Sequence, residues 1–279
     1  RNDGAGTWTE VTPPALASRL VDRAFFLCAL VIARGFAPFA GVGPFAAGLF
    51  LLSGVLGTAL GRLTVFDGVD RVGASVNSAV VSARPLFAAV FAFGLLGETL
   101  SLATVLGIVV LVSGLVTLSL SKGGDLGGWS SWELGYPLAS AAFFALGNVI
   151  RRYGLELGGT DVLQAVAINE AGALFAFLGY AALGGSMKFR STDPRSAGYF
   201  AASGSLTAVA LLSMFGALAL PAGRVAIVES LGATAPLFTT AFAYFLLRDL
   251  ERVTRGILLG ALLVAVGVAL VTLGPLLLG

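Results

Sequence analysis

The chain has 279 residues, 57% of them hydrophobic and only 11% charged, with a formal net charge of +2. A soluble domain carries about 25% charged residues, so the composition excludes a surface wetted by ionised side chains, and so small a net charge implies no nucleic-acid partner. A lone cysteine, Cys28, excludes an intrachain disulfide framework, and there is no histidine.

Arg1 to Val11 is a polar stretch without a signal peptide. Nine apolar spans are predicted after it, at 14–33, 43–66, 72–97, 101–120, 132–150, 161–183, 197–219, 223–247 and 256–277. No charge falls between Gly35 and Gly61, Thr99 and Ser121, Ser196 and Gly223, or Gly256 and Gly279. Each run exceeds the ~20 residues that a helix needs to cross about 30 Å of hydrocarbon. Backbone groups in lipid must pair with one another, which makes the spans helices. A barrel strand would alternate apolar with polar residues, and Val105 to Val112 shows no alternation. Asp67 to Arg71, Lys122 to Gly128 and Gly158 to Asp161 carry turn signals between spans.

The halves repeat. Arg71 and Arg224, Glu98 and Glu251, Gly107 and Gly260, and Gly114 and Gly267 each stand 153 residues apart. Pro-Leu-Phe follows Arg84 and recurs after Ala235, at an offset of 151. The first repeat is placed at 1–121 and the second at 132–279. The second contains five spans and the first four, and Thr12-Pro-Pro aligns with the loop after the second half's first helix. The expected architecture is therefore all-α, a multi-pass bundle of two five-helix repeats, nine of ten helices visible and the first missing upstream. An odd number of helices per repeat inserts the halves in opposite orientation, the inverted-repeat plan of secondary transporters.

The order Arg71-Val, Pro85-Leu-Phe87, Gly97-Glu98-Thr99, Gly107, Gly114, matched by Arg224-Val225, Pro236-Leu-Phe238, Glu251, Gly260 and Gly267, resembles the EamA-type repeat of the drug/metabolite transporter superfamily. The resemblance implies ten-helix carriers of small metabolites, driven by ion gradients or exchange.

Charges within a span are costly, about 2.5–3.5 kcal/mol on the insertion scale, and face a cavity or a partner. Arg84 precedes Pro85, which deprives the Val81 carbonyl of its helical donor. A helix broken beside a cation suits an anionic solute group, and Asn77, seven residues earlier, shares that face. The alternative is an Arg locked by a carboxylate. Glu229 lies seven residues before Pro236, the second expected helix break. With no histidine, Glu229 and Glu170 are the candidates to couple protons; otherwise one of them neutralises Arg84. Asn169, beside Glu170, and Asn148 are further candidates for the substrate cavity, although such an Asn more often bonds between helices. Glu98 and Glu251 lie at span ends and are expected to make helix-end contacts. Arg19, Asp22 and Arg23 share a face and are expected to form an internal ion pair in preference to an entrance, and the small-xxx-small spacings Gly57/Gly61 and Gly256/Gly260 suit close packing.

No metal cluster, phosphate loop or nucleophile elbow is present in the sequence, so no enzyme activity, metal or cofactor is expected. The leading reading is a secondary transporter of a small anionic or zwitterionic metabolite, amino acid-like or other, with proton coupling, in the plasma or inner cell membrane. Its expected partners are that small-molecule substrate and the lipid bilayer; its oligomeric state is open. An exporter of hydrophobic cations and a non-transporting scaffold or lipid-handling protein are the alternatives. A scaffold requires every internal charge to be paired in a core without a cavity.

Overall fold

A helix closes all its backbone hydrogen bonds within one segment, and most of the described residues of the computed structural model are helical. It describes residues 39–121, 130–182, 194–235, 238 and 255–277, and no strand occurs among them. Three of the described helices are long and apolar enough to cross a membrane: Pro44–Val72, Val76–Leu96 and Val162–Tyr180. The expected span at 14–33 and the latter part of that at 223–247, past residue 235 apart from 238, lie outside the described residues.

The chain divides into two compact units, Arg1–Arg62 with Ile150–Pro221, and Leu63–Val149 with Ala222–Gly279. Each unit draws on both sequence halves, so this division differs from that of the repeats. Helices Gly61–Val72 (α2) and Gly135–Glu156 (α6) contribute residues to both units.

The first unit packs α1 (Pro44–Ser53) against α7 (Val162–Ala182) and contains α8 (Pro194–Ala219). Phe50, Ala165, Val166 and Phe215 form its core. Glycines bring the backbones together: a Cβ on Gly54 would overlap the Asn169 carbonyl oxygen, and one on Gly172 that of Leu51. After α1 the chain widens into a π-helical turn, Gly54–Leu60, on which Thr58 is buried. Such turns are frequent at functional sites.

The second unit contains α3 (Ala74–Val81), α4 (Arg84–Phe91, prolonged by a π turn to Leu96), α5 (Leu102–Ser121), α9 (Val225–Gly232) and α10 (Arg255–Leu277). Helices α5 and α10 make its most extensive contact. They run antiparallel: Gly107 lies on Gly267 and Val271, Gly114 on Gly260 and Val264, and Gly267 on Leu111. The repeat glycines therefore have a packing role, which their seven-residue spacing serves by returning each to the same helix face.

Two segments correct the sequence reading. Asp67 to Arg71 is not a turn, because α2 continues to Val72 and the chain bends at Gly73, whose φ of 85° favours glycine. Gly68 sits inside the helix because the Asn77 carboxamide occupies the space where a Cβ would project. The span expected at 132–150 is helix over Gly135–Glu156, preceded by a short 3-10 turn from Ser131; its end lies past the arginines, at the Gly158-Gly159 turn, where both φ angles are positive.

The close crossing gives a direct expectation. In Gly114→Ala the new Cβ would stand 2.6 Å from the Val264 amide nitrogen and 2.8 Å from the Gly260 carbonyl oxygen, backbone atoms that cannot rotate away. It should cost about 1–3 kcal/mol, read as a lower unfolding temperature in detergent, whereas Gly179→Ala, with nothing within 4 Å, should be neutral or slightly stabilising.

Candidate functional site

Helix breaks organise the second unit. Pro85 has no N–H to offer the Val81 carbonyl, and helix gives way to a turn at Ser82–Ala83 before restarting at Arg84 with Pro85 in its first turn. The Ser82 amide donates to the Ser78 carbonyl (3.0 Å) and that of Ala83 to Val80 (3.0 Å). A second turn follows α9 with the same pattern: the Ala233 amide donates to Glu229 (2.9 Å) and that of Thr234 to Leu231 (3.1 Å). Pro236, the expected cause of this break, lies outside the described residues.

A cavity of about 410 Å³ opens where the two breaks meet. Asn77, Ser78, Ser82 and Arg84 supply its polar side, and Gly232, Ala233 and Ala235 border it from the second break. Val65, Val69, Val81 and Leu115 make the remainder apolar. One cation, one carboxamide and two hydroxyls thus face an aliphatic wall.

Arg84 joins this cavity to a buried carboxylate. Its Nη2 donates to Glu229 Oε2 at 2.6 Å, and its guanidinium stands 4.8 Å from the centre of the Phe144 ring. The Arg84 side chain is 29% exposed and that of Glu229 only 1%, so the cation faces the opening and the anion lies behind it. Asn148 Nδ2 donates to Glu229 Oε1. The expectation that one carboxylate neutralises Arg84 is thus met by Glu229, and Asn148 makes the interhelical bond that was its alternative. Both observations agree with a lock, but the cavity against Arg84 departs from the fully packed core that a scaffold requires.

Asn169 and Glu170 stand in the first unit, in a different cluster. Asn169 Oδ1 accepts from Ser53 Oγ (2.8 Å) and Arg151 Nε (3.1 Å), and its Nδ2 donates to Thr58 Oγ1 (3.2 Å) and Glu170 Oε1 (3.3 Å). Arg151 also donates from Nη2 to Thr58 Oγ1 (2.8 Å), and its guanidinium lies over the Phe215 ring. Arg151 and Thr58 escaped the sequence reading. Arg151 looked like a charge flanking a span that ended at 150, but the helix runs on through Gly154, which packs against the Phe50 ring, to Glu156, and so places Arg151 in the interior. Its neighbour Arg152 pairs instead with Glu156 at 2.6 Å, one turn on.

Buried polar atoms without partners are rare in native proteins and each needs a cause. Among the described residues they are Asn77 Oδ1, Arg84 Nε, Arg152 Nε, Thr160 Oγ1 and Glu170 Oε2. Three of these belong to residues singled out for function from the sequence. Glu98 makes the helix-end contact expected of it, accepting from the Val225 amide at the start of α9. Arg19, Asp22, Arg23 and Glu251 lie outside the described residues.

Residues 13–120 match the EamA-like transporter family, which falls within the drug/metabolite transporter superfamily. The resemblance read from the repeat is thereby borne out, and the match points to a membrane transporter of the drug/metabolite type. No curated protein matches the chain. One solved crystal structure is similar at 20% identity over 98% of this chain and 92% of that one, with a TM-score of 0.75, a likeness of fold.

The first-unit cluster and Asn77 differ in what their removal exposes. Asn169→Leu strips partners from Ser53, Arg151, Thr58 and Glu170 together and should cost at least about 1–3 kcal/mol. Asn77→Leu removes a carboxamide oxygen that has no partner and should cost less. Thermal unfolding of the two variants side by side in detergent checks the order.

Proposed function

We propose that this membrane transporter moves a small organic anion or zwitterion, an amino acid-like metabolite among the candidates, by proton-coupled alternating access. The observation that carries the reading is the Arg84–Glu229 ion pair beside a cavity at two helix breaks. Backbone that leaves the helix at membrane depth is tolerated where it borders such a space. The N-terminus of α4 also brings its partial positive charge to the break, which adds to Arg84 in attracting an acidic group.

The pair supplies a coupling device. A solute carboxylate entering the cavity competes with Glu229 for the guanidinium. A proton arriving on Glu229 cancels its charge and weakens its hold on Arg84, so proton and anion bind more favourably together than apart. Glu170 is the second candidate for a proton site. Asn77 lies on the solute's side of the site, while Asn148 and Asn169 hold the two carboxyls from behind.

Alternating access requires two opposed halves, and the α5–α10 crossing supports that reading. Gly107 meets Gly267 rather than Gly260, its own repeat counterpart, and Gly114 meets Gly260. Gly114 lies on Val264 and Gly267 on Leu111, positions that again differ by the repeat offset of 153. This exchange of partners is the contact rule of a two-fold axis, as two inverted five-helix repeats would produce. The reading includes a plasma or inner cell membrane location.

Export of hydrophobic cations is disfavoured by Arg84, which occupies the carboxylate that such a cation would need. Proteoliposomes containing the protein, offered a panel of metabolites with and without a pH gradient, test the proposal. Arg84→Ala should reduce uptake of an anionic solute by about tenfold or more, the equivalent of 1.4 kcal/mol. Glu229→Gln should abolish the response to the pH gradient. Full activity in both variants would overturn the site assignment, and gradient-independent uptake by the unaltered protein would remove the coupling role.

A further inference from the structure

Helices α4 and α9 each have one end at the cavity. Arg84 begins α4 at the first break, and Gly232 ends α9 at the second. Their other ends meet as well. Past the π turn, Gly97 takes a left-handed φ of 66°, the Glu98 amide donates back to the Ala92 carbonyl (3.1 Å), and the chain folds toward the start of α9. There the Val225 amide donates to both Glu98 carboxylate oxygens, at 3.1 and 3.2 Å, and Arg224 Nη1 donates to the Thr99 carbonyl oxygen at 2.8 Å.

The two contacts are reciprocal: segment 98–99 offers a side-chain and a backbone acceptor, and segment 224–225 a backbone and a side-chain donor. The carboxylate also lies at the positive end of α9 and the first-turn amide it binds has no intrahelical acceptor. Helix α9 has eight residues, so this clasp stands about 12 Å along the helix from the cavity. Two antiparallel helices are thus tied at both ends, at the cavity by Arg84–Glu229 and at the far end by the clasp.

We propose that the Glu98/Arg224 clasp is a gate that closes the cavity toward the face of the membrane at which α9 begins. With the clasp intact, α4 and α9 lie side by side and block that route; with it broken, the far ends separate while the ion pair keeps the near ends together. Glu98 and Arg224 act through helix position and do not touch the solute. The gate rests on the alternating-access reading, but its test requires no transported solute.

Ser78 lines the cavity and is exposed there, which makes it a reporter. In a Cys28→Ser background, Ser78→Cys would be reacted with a membrane-impermeant methanethiosulfonate in right-side-out and in inverted vesicles. Adding Glu98→Ala should accelerate labelling at least several-fold from one side only. Glu98→Gln, whose amide oxygen still accepts from Val225, should fall between Ala and the parent. Unchanged labelling in Glu98→Ala, or an equal rise from both sides, would overturn the gate, since the second outcome is what a general loosening gives. A protein that transports nothing in the metabolite panel yet shows one-sided opening would retain the gate and lose the carrier reading.

Discussion

Inside a bilayer no water is available to accept a hydrogen bond released by the backbone, so an interrupted helix needs a local substitute or a cavity. The second unit uses both. At Ser82–Ala83 and at Ala233–Thr234 the turn amides bond back to carbonyls three and four residues earlier, and a cavity opens between the two turns. The Arg84–Glu229 pair depends on this arrangement. Arg84 is placed by the restart of a helix, Glu229 sits one turn before the second interruption, and each reaches the other because the breaks are adjacent.

The two units hold their arginines differently. Arg84 is bound by a carboxylate and is partly open to a cavity; Arg151 is enclosed, held by Thr58 and Asn169 and covered by the Phe215 ring. A paired charge beside open space can exchange its partner for a solute. An enclosed one serves better to fix the positions of its neighbours, here a π-helical turn and the α7 segment that contains Glu170. The desolvation of both cations is offset by hydrogen bonds and by aromatic faces, which attract a guanidinium more strongly where water is excluded.

Much of this was legible in the sequence because the bilayer makes simple demands. Charge-free runs longer than 20 residues identify helices, and a proline after an internal arginine identifies a break. Arg84 and Glu229 were visible as costly charges within spans, although which carboxyl would face Arg84 was open until the helices were packed. Features that depend on packing were hidden. Gly68 reads as a turn signal beside Asp67 and Asp70, yet it makes room for Asn77 from a helical backbone. Arg151 reads as a span-flanking charge because hydropathy ends where the arginines begin, whereas the helix goes on to Glu156. No local pattern announces the π turn that puts Thr58 beside Arg151, since its residues are as apolar as those of the α-helix before it.

The crossing of α5 and α10 has a mechanical consequence. Glycines seven residues apart on each helix bring the two backbones into contact at two levels, with Leu111 and Val264 lodged between them. Sliding either helix by one turn would bring side chains against the opposing backbone at both levels, so translation along the contact is resisted. The pair is therefore held at one longitudinal setting, a fixed element against which the rest of the second unit packs.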